Sequence, residues 1–588
     1  MKLTEICNSN IILADNLKII QDNNIDIKNR IIITFIGEEN HKKNIFNFFN
    51  LVHHDFHYQY EKSSKIISEE FHDSLNISLA LKKNLTRIFY GQIGLFPYYD
   101  VIKKLINNKN NLQIHTEDEK IFNISKNVSE HNDLKIFYKK KKILKKNAYF
   151  KISKLDLLRM YPLEIIIFYL KKKIFLTFKK FKNLKENVFV HLSTETNFLS
   201  IDRFLNKKWQ SKILQLNLED NYKLNQEEEK ELFEIKKKTN LIIKNHFENN
   251  EYFKTAINKD INNFFKNYRS CFEKVSKIFK DLNSNFYFLT KIIRGPLATS
   301  LYDYGKKNSK KFYWISQQHG HGIELTEIHK KTQITKEETL ADLLFVYSLV
   351  GKKEREENKF KKENIIIEDI GYHNNSYNLN KVPQHDIIYI SNLNQELTGH
   401  EINMSALNNF EKIKFEEKLI KEVFAKINHK VLFKEYPGGK TSNIKNKYIK
   451  NLINPYKNIT YFNQWLNAEN IYNKSSVIIT SLPTSGLAGA IKSQKPLVFI
   501  DIKKIMPLRD NLISIFKKKY LYINFDEDIF FNLKNYLSKD LKTIKSEWKK
   551  KQLIDKSNFE IDYINILSRK KVIEKIKNKI TNFVKYKS

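Results

Sequence analysis

At 588 residues, with 41% hydrophobic and 13% aromatic content, the chain is long enough for two or more domains, and most of it should fold. The net charge is +37, yet only nine of the 103 basic residues are Arg. A nucleic-acid binder usually shows Arg for bidentate contacts, so that class is set aside, leaving a solvated lysine surface or attraction to an anionic membrane or a phosphate-bearing substrate.

The first residues, "MKLTEICNSNIILADN", lack an apolar signal core and a small-residue cleavage site. Cys7 and Cys271 form neither a metal spacing nor a disulfide framework, which fits a reducing, cytoplasmic setting. Residues 31–37, "IIITFIG", read as a buried strand ending at a glycine turn. Helical periodicity follows over 60–110, broken near "GLFPYYD" (94–100). From 120 to about 280 the pattern is polar, lysine-rich and mostly helical, the expected helical insertion of an N-terminal half. Within it, "FYKKKKILKKNAYF" (137–150) and "FYLKKKIFLTFKKFKN" (168–183) alternate basic clusters with aromatics. That composition suits a membrane surface, and equally ordinary helices with snorkelling lysines. The most apolar window, "LEIIIFYL" (163–170), is far short of the roughly 20 residues of a spanning helix.

From about 285 the rhythm changes. "NFYFLTKII", "KFYWIS" (311–316), "ADLLFVYS" (341–348) and "NIIIEDIG" (364–371) read as strands, with helical stretches such as "PLATSLYDYG" between them. A polar, turn-rich linker spans 372–385. Six more strands follow at 386–391, 430–436, 459–463, 476–481, 496–501 and 520–525, again with intervening helices. This alternation predicts an α/β fold of two Rossmann-like domains facing a cleft. The expected boundaries are 1–375 for the first half, 385–540 for the second, and a basic helical tail over 541–588. In open parallel sheets ligands bind at the carboxyl ends of the strands, so the loops after strands are where chemistry is expected.

Two such loops stand out in the second half. "VLFKEYPGGKTS" (431–442) has the end of a phosphate-binding loop in Gly439, Lys440 and Thr441, but the first glycine of that motif should stand at 434, where there is Lys. The same stretch reads better as a strand end carrying Lys434, then a Tyr436-Pro437 turn. Further on, "IITSLPTSGLAGAIKSQKPLVFID" runs strand, turn, helix, strand. Thr484 and Ser485 fall at the start of that helix, where free N–H groups, hydroxyls and the helix dipole favour an anion. Gly486, Ala488, Gly489 and Ala490 let the helix lie close to the sheet.

Taken together, these residues resemble the bacterial surface-polysaccharide transferases of the GT-B type: capsule Kdo transferases, bacterial sialyltransferases and teichoic-acid glycerophosphotransferases. The likeness runs over about 285–540. It rests on Lys434 to Pro437 as a "K-x-H-P"-like strand end, on Thr484-Ser485, on "SQKPLVFID", and on Gln318-His319-Gly320. Before 285, "FIGEE" (35–39), "HHDFHYQYEK" (53–62) and "RIFYGQIGLFPYYD" (87–100) are similar to a subgroup of O-antigen or surface-carbohydrate transferases. The resemblance implies sugar transfer from a nucleotide-sugar donor to a cell-surface polysaccharide or lipid-linked glycan, with no cofactor, no metal and no nucleic acid. Its partners would be the donor, the acceptor and an anionic membrane face. Tyr436 departs from the pattern, which has histidine there. Phosphopolyol transfer on the same fold, a non-catalytic membrane-surface scaffold and a P-loop-like NTPase are the alternatives.

The resemblance also implies site residues. His319 is the candidate base for the acceptor hydroxyl, with His321 as a second candidate; its near-neutral intrinsic pKa suits the task. Glu38 and Asp55 are carboxylates that could face the cleft. Gln318, Gly320, Lys434, Tyr436, Pro437, Thr484 and Ser485 are expected to hold the donor.

Overall fold

The computed structural model describes residues 9–16, 20, 25–26, 28–36, 45–47, 77–93, 96–107, 111–116, 119–129, 134–138, 186–192, 209–214, 222–246, 251–280, 283–318, 322–326, 337–358, 361–372, 384–391, 409–435, 449–462, 471–481, 483, 485–502, 508–524, 528–554, 558–565 and 567–587. Among them are three sheets, and every strand pair is parallel.

The first sheet holds β1 (Asn10–Asn16), β2 (Ile31–Ile36), β3 (Ile45–Asn47), β4 (Asn111–Thr116) and β5 (Lys135–Tyr138), in the order β3-β2-β1-β4-β5. The second holds β6 (Asn187–Leu192), β7 (Trp209–Leu214), β8 (Asn285–Leu289), β9 (Lys311–Gln317), β10 (Leu343–Val346) and β11 (Ile366–Asp369), in the order β11-β10-β9-β8-β6-β7. The third holds β12 (Ile387–Ile390), β13 (Val431–Lys434), β14 (Ile459–Phe462), β15 (Val477–Thr480), β16 (Leu497–Asp501) and β17 (Leu521–Asn524), in the order β14-β13-β12-β15-β16-β17. Numbered within its own sheet the third order is 3-2-1-4-5-6, the doubly wound arrangement with its crevice between the first and fourth strands.

All six strands expected in the second half, and all four expected between 285 and 371, are present. Their apolar runs are buried on both faces, as parallel strands under two helical layers must be: every residue of β8, β13, β15 and β16 is buried.

The first half differs from expectation. The stretch read as a helical insertion, 120–280, carries β5, β6 and β7 as well as helices, and β6 and β7 belong to the second sheet. Strands β1 to β5 form a parallel sheet separate from that of β6 to β11. The reason is local. β4 (NLQIHT) and β6 (NVFVHL) are six-residue runs among lysine-rich sequence, too short for periodicity to separate them from helix.

Helices α1 (Leu79–Ile93) and α2 (Phe96–Asn107) fall in the region read as helical. They are followed by α3 (Glu119–Ser129), α4 (Gln226–His246), α5 (Glu251–Ile278) and α6 (Gly295–Asn308). Val275, Phe279 and Leu301 from α5, its end and α6 pack on Val188, Phe286, Phe288 and Trp314 of the second sheet. A Cβ on Gly305 would stand 2.6 Å from the Phe312 ring, so the absence of a side chain there sets how closely α6 approaches.

Helix α7 (Leu349–Glu356) follows β10, and α8 (Asn409–Lys418), α9 (Ser485–Lys492), α10 (Asp510–Lys519) and α11 (Ile529–Leu537) flank the third sheet. The tail is not an appendage. Ile544 of α12 (Leu541–Ile554) joins the core of the third sheet. Then α13 (Arg569–Lys587) returns to the second sheet, where Val572, Ile576, Ile580 and Phe583 cover Phe189, Tyr287, Ile315 and Phe345. The basic clusters at 137–150 and 168–183 lie outside the described residues except for Phe137 and Tyr138, as does most of the expected linker, 373–383. Among the described residues no helix is long and apolar enough to cross a membrane.

Candidate functional site

The register of the third sheet fixes what stands at its C-terminal edge. Ile390 pairs with both Lys434 and Thr480, and Lys434 pairs with Phe462. The next residues, Ser391, Glu435 and Ser481, therefore emerge side by side. Backbone bonds carry the ladder one step past the strands, from Ser391 N–H to Lys434 O (3.0 Å) and from Glu435 N–H to Phe462 O (2.9 Å).

Because successive side chains alternate, Lys434 and Glu435 point to opposite faces. Lys434 is 2% exposed. Its Nζ donates to the Glu435 carbonyl at 2.7 Å and lies 5.8 Å from the centre of the Phe462 ring. Burial pulls its pKa down to about 8, against the upward pull of the Glu435 charge. On the other face, Glu416 of α8 is fully buried and accepts from Ser391 Oγ (2.6 Å) and Tyr389 Oη (3.2 Å). Burial, then Glu416, pushes the Tyr389 hydroxyl well above its ordinary pKa; burial, then Glu435, does the same to Tyr461. Both hydroxyls stay protonated, and that of Tyr389 is the donor to Glu416.

Helix α9 opens at Ser485, after Ser481 and Pro483. Leu487, Ala488 and Ala490 are fully buried against the sheet, so the small residues do bring this helix close. The Tyr472 hydroxyl donates to the Gly486 carbonyl (2.7 Å) and steadies its first turn. The N-terminal end of α9 thus opens on the same edge as Lys434.

Among the described residues, the segment 322–326 brings the second sheet to this edge. After β9, Gln318 is fully buried; its N–H donates to Phe345 O (2.8 Å) and its Oε1 accepts from the Tyr347 N–H (3.3 Å). Residues 322–326 then run to the third sheet. Leu325 packs with Leu487 and Ala488 of α9, and Thr326 forms an antiparallel bridge with Leu508, in the loop after β16. The Arg509 N–H donates to Leu325 O (3.0 Å), and its guanidinium pairs with Glu354 of α7. Asp501, at the end of β16, accepts from Leu508 N–H and Tyr522 Oη. Strand-end loops of two parallel sheets are therefore joined to each other, C-terminal edge to C-terminal edge.

Of the expected site residues, the structure brings Lys434 and the start of α9 to one edge and holds Gln318 on the segment that crosses to it. His319, Gly320, His321, Glu38, Asp55, Tyr436, Pro437, Lys440, Thr441 and Thr484 lie outside the described residues, as does the side chain of Ser485. Lys434, the last residue of β13, stands where a P-loop would have its opening glycine. Sequence reasoning missed Glu416, Glu435, Glu354 and Arg509. They carry no motif; the one available signal was "KE" at a strand end, which pairs a buried charge with its neighbour.

No protein-family model matches the chain, and no curated protein matches it. Among solved structures it is similar to a UDP-glucosyltransferase from Polygonum tinctorium, at 8% identity over 68% of this chain and 99% of that one, with a TM-score of 0.33. It is similar to MurG of Acinetobacter baumannii, at 9% identity over 68% and 99%, TM-score 0.30. It is similar to CalG4, the calicheamicin glycosyltransferase, at 8% identity over 69% and 100%, TM-score 0.34. Likeness of this degree carries no argument about activity, and the α/β fold rests on the three sheets themselves.

Proposed function

We propose that the chain is a glycosyltransferase that moves a sugar from a nucleotide-sugar donor to a cell-surface polysaccharide or lipid-linked glycan. The observation that carries the reading is the junction of the two C-terminal edges by residues 322–326 and Leu508–Arg509. Such edges are where parallel sheets hold ligands, and in this reading the two joined edges share one crevice. The order of the quoted motifs along 285–540 supports the same reading.

In this reading the donor phosphates lie at the third sheet, between Lys434 and the start of α9 with Thr484 and Ser485. The N–H groups of a helix start and one ammonium suit the charge that develops on the departing phosphate. His319, between Gln318 and Gly320 in the sequence, takes the acceptor hydroxyl proton. The acceptor oxygen bonds to the anomeric carbon as the bond to phosphate breaks, and the nucleotide leaves with that electron pair. Tyr436 donates one hydrogen bond to the donor, Pro437 shapes its turn, and Glu38 is the carboxylate proposed to face the crevice.

Thermal unfolding with CMP, CDP, UDP and GDP tests this, because a ligand that binds only the native state raises its stability. One of the four should raise the midpoint of the wild type. Thr484→Ala with Ser485→Ala should weaken that binding about tenfold or more, the loss of one or two charge-assisted hydrogen bonds. His319→Ala should bind the nucleotide normally and transfer no sugar. Thr441→Ala should change little; a magnesium-dependent loss at Thr441 with Thr484 and Ser485 indifferent would support the P-loop instead.

The lysine clusters at 137–150 and 168–183 would bring such an enzyme to an anionic surface bearing a lipid-linked acceptor. The expected result is sedimentation with anionic but not neutral vesicles, reversed by salt as the Debye length falls below about 8 Å. Equal sedimentation with both would make these clusters ordinary solvated faces.

A further inference from the structure

Helix α4 buries one side and leaves an unusual pattern on the other. Leu232, Ile235, Ile242 and Ile243 point inward, onto Leu85 and Phe89 of α1 and Ile257 and Ile261 of α5. On the opposite side stand Lys230, Phe233, Lys237, Leu241 and Lys244, all exposed. Steps of three or four residues keep them on one face of the helix. The stripe therefore reads basic, apolar, basic, apolar, basic, over about 21 Å at 1.5 Å per residue.

Helix α5 widens the stripe into a surface. Lys236 Nζ donates to Asn262 Oδ1 (3.4 Å), and Asn258 Nδ2 donates to Asn240 Oδ1 (2.9 Å). These two bonds mark an antiparallel seam between the helices. Lys259, Asn263 and Lys266 follow the seam residues of α5 and are exposed. The lysines of the two helices feel one another: burial, then the Lys266 charge, lowers the Lys236 pKa below its ordinary value. Every acid of α4 lies in its first half, and the second half, "IKKKTNLIIKNH" (235–246), holds four lysines and no acid.

The chemistry of the face selects the partner. Single exposed apolar side chains are ordinary. Here Phe233 is 63% and Leu241 50% exposed, and each stands between two lysines of the same stripe. A nucleic acid would engage the lysines and leave Phe233 and Leu241 in water, and the stripe offers it no Arg. The core of a protein interface is depleted in lysine. An anionic bilayer meets both kinds of side chain at once. Headgroup phosphates attract the ammonium groups, while Phe and Leu sink toward the acyl chains of a helix-bearing surface lying in the interface plane. Long lysine stems let the apolar side chains go deeper than the charges.

We propose that this face of α4 and α5 docks on an anionic lipid bilayer. Phe233 and Leu241 enter the boundary of the acyl chains, and the lysines around them hold headgroup phosphates. The purpose of docking, access to a lipid-linked acceptor, rests on the transfer reading; the docking itself does not.

Sedimentation of the full chain with vesicles tests it, using phosphatidylcholine alone and in equal parts with phosphatidylglycerol. The wild type should sediment with the mixed vesicles. Phe233→Ser with Leu241→Ser should weaken that binding about tenfold or more at low and high salt alike, the loss of two inserted side chains. Lys237→Gln with Lys244→Gln should weaken it about tenfold at low salt and little at high salt. These positions are exposed, so the variants should unfold at the wild-type midpoint. The added fluorescence of Phe233→Trp should shift to the blue with vesicles and be quenched by brominated acyl chains. No sedimentation of the wild type would overturn the proposal. So would sedimentation that ignores the serine pair while the new indole stays in water, because the clusters at 137–150 and 168–183 would then bind alone. A serine pair that still sediments but loses retention on RNA, or loses self-association, would give the face another partner and also overturn it. The nucleotide-dependent rise in midpoint should be the same in every variant. A wild type that docks but takes no nucleotide would overturn the transfer reading and leave this face standing.

Discussion

Glu324→Ala is expected to destabilise the chain by about 3–5 kcal/mol, the cost of leaving a buried charge without its counter-ion. The side chains of Glu324 and Arg355 are both fully buried and pair at 3.1 Å. Arg355 Nη1 also donates to the Gly351 carbonyl at 3.0 Å, and the Ser348 hydroxyl caps the same turn by accepting from Gly351 N–H. Removing the carboxylate leaves the guanidinium buried where few acceptors reach it. Replacing both partners, as in Glu324→Leu with Arg355→Met, should restore most of the loss, because two apolar groups of similar volume carry no desolvation cost. Gly351 gives an internal control. A Cβ there would stand 2.7 Å from Glu324 Oε1, so Gly351→Ala should cost stability in the wild type and much less in the Glu324→Ala background. Urea midpoints for the four chains decide the matter; additive costs would mean that the pair and the glycine do not share one contact. Glu324 lies within the crossing segment, so the transfer proposed above should fall with it while the nucleotide is still bound.

The second large effect concerns Lys434, where function and stability oppose each other. Its folded pKa, about 8, lies below the ordinary 10.5, so the unfolded chain binds more protons between those values and stability rises with pH across that window. Below pH 8 the full cost of the buried charge is present, about 3 kcal/mol by the linkage relation. Lys434→Met should therefore raise the unfolding midpoint at pH 7, with a gain that fades as the pH climbs from 8 to 10.5. The same variant should lose nucleotide binding. A phosphate beside Lys434 favours its charged form, so binding to the wild type near pH 8 should take up a proton and show a heat that depends on the buffer's ionisation enthalpy. Calorimetry in two buffers measures this directly. A pH-independent gain, or nucleotide binding that survives Lys434→Met unchanged, would remove Lys434 from the site.

Much of this fold was legible in short stretches of the chain. The apolar runs "VIIT" and "LVFID" are short, β-branched and bounded by turn residues, and they become β15 and β16 with every side chain buried. Local composition decides such strands because a parallel strand under two helical layers must be apolar throughout. Alternation of strand and helix then predicted the six strands of the third sheet. The small residues of α9 and the terminal position of Lys434 in β13 were also readable, since both depend on neighbours in the chain.

The rest depended on contacts between residues far apart in sequence. Nothing local distinguishes "NVFVHL" (187–192) from a turn of helix; pairing with β7 and β8 makes it a strand. The basic tail reads as a solvated helix, yet α13 buries Ile576 and Phe583 on a sheet formed far earlier in the chain, against Tyr313 and its neighbours. Within 285–525 local sequence was enough to place the strands, because burial and turn propensity act over a few residues. Tertiary structure alone decided the order of the strands, the joining of the two C-terminal edges and the burial of Glu324 with Arg355, because each of these is a balance of desolvation and pairing between groups that the chain order does not bring together.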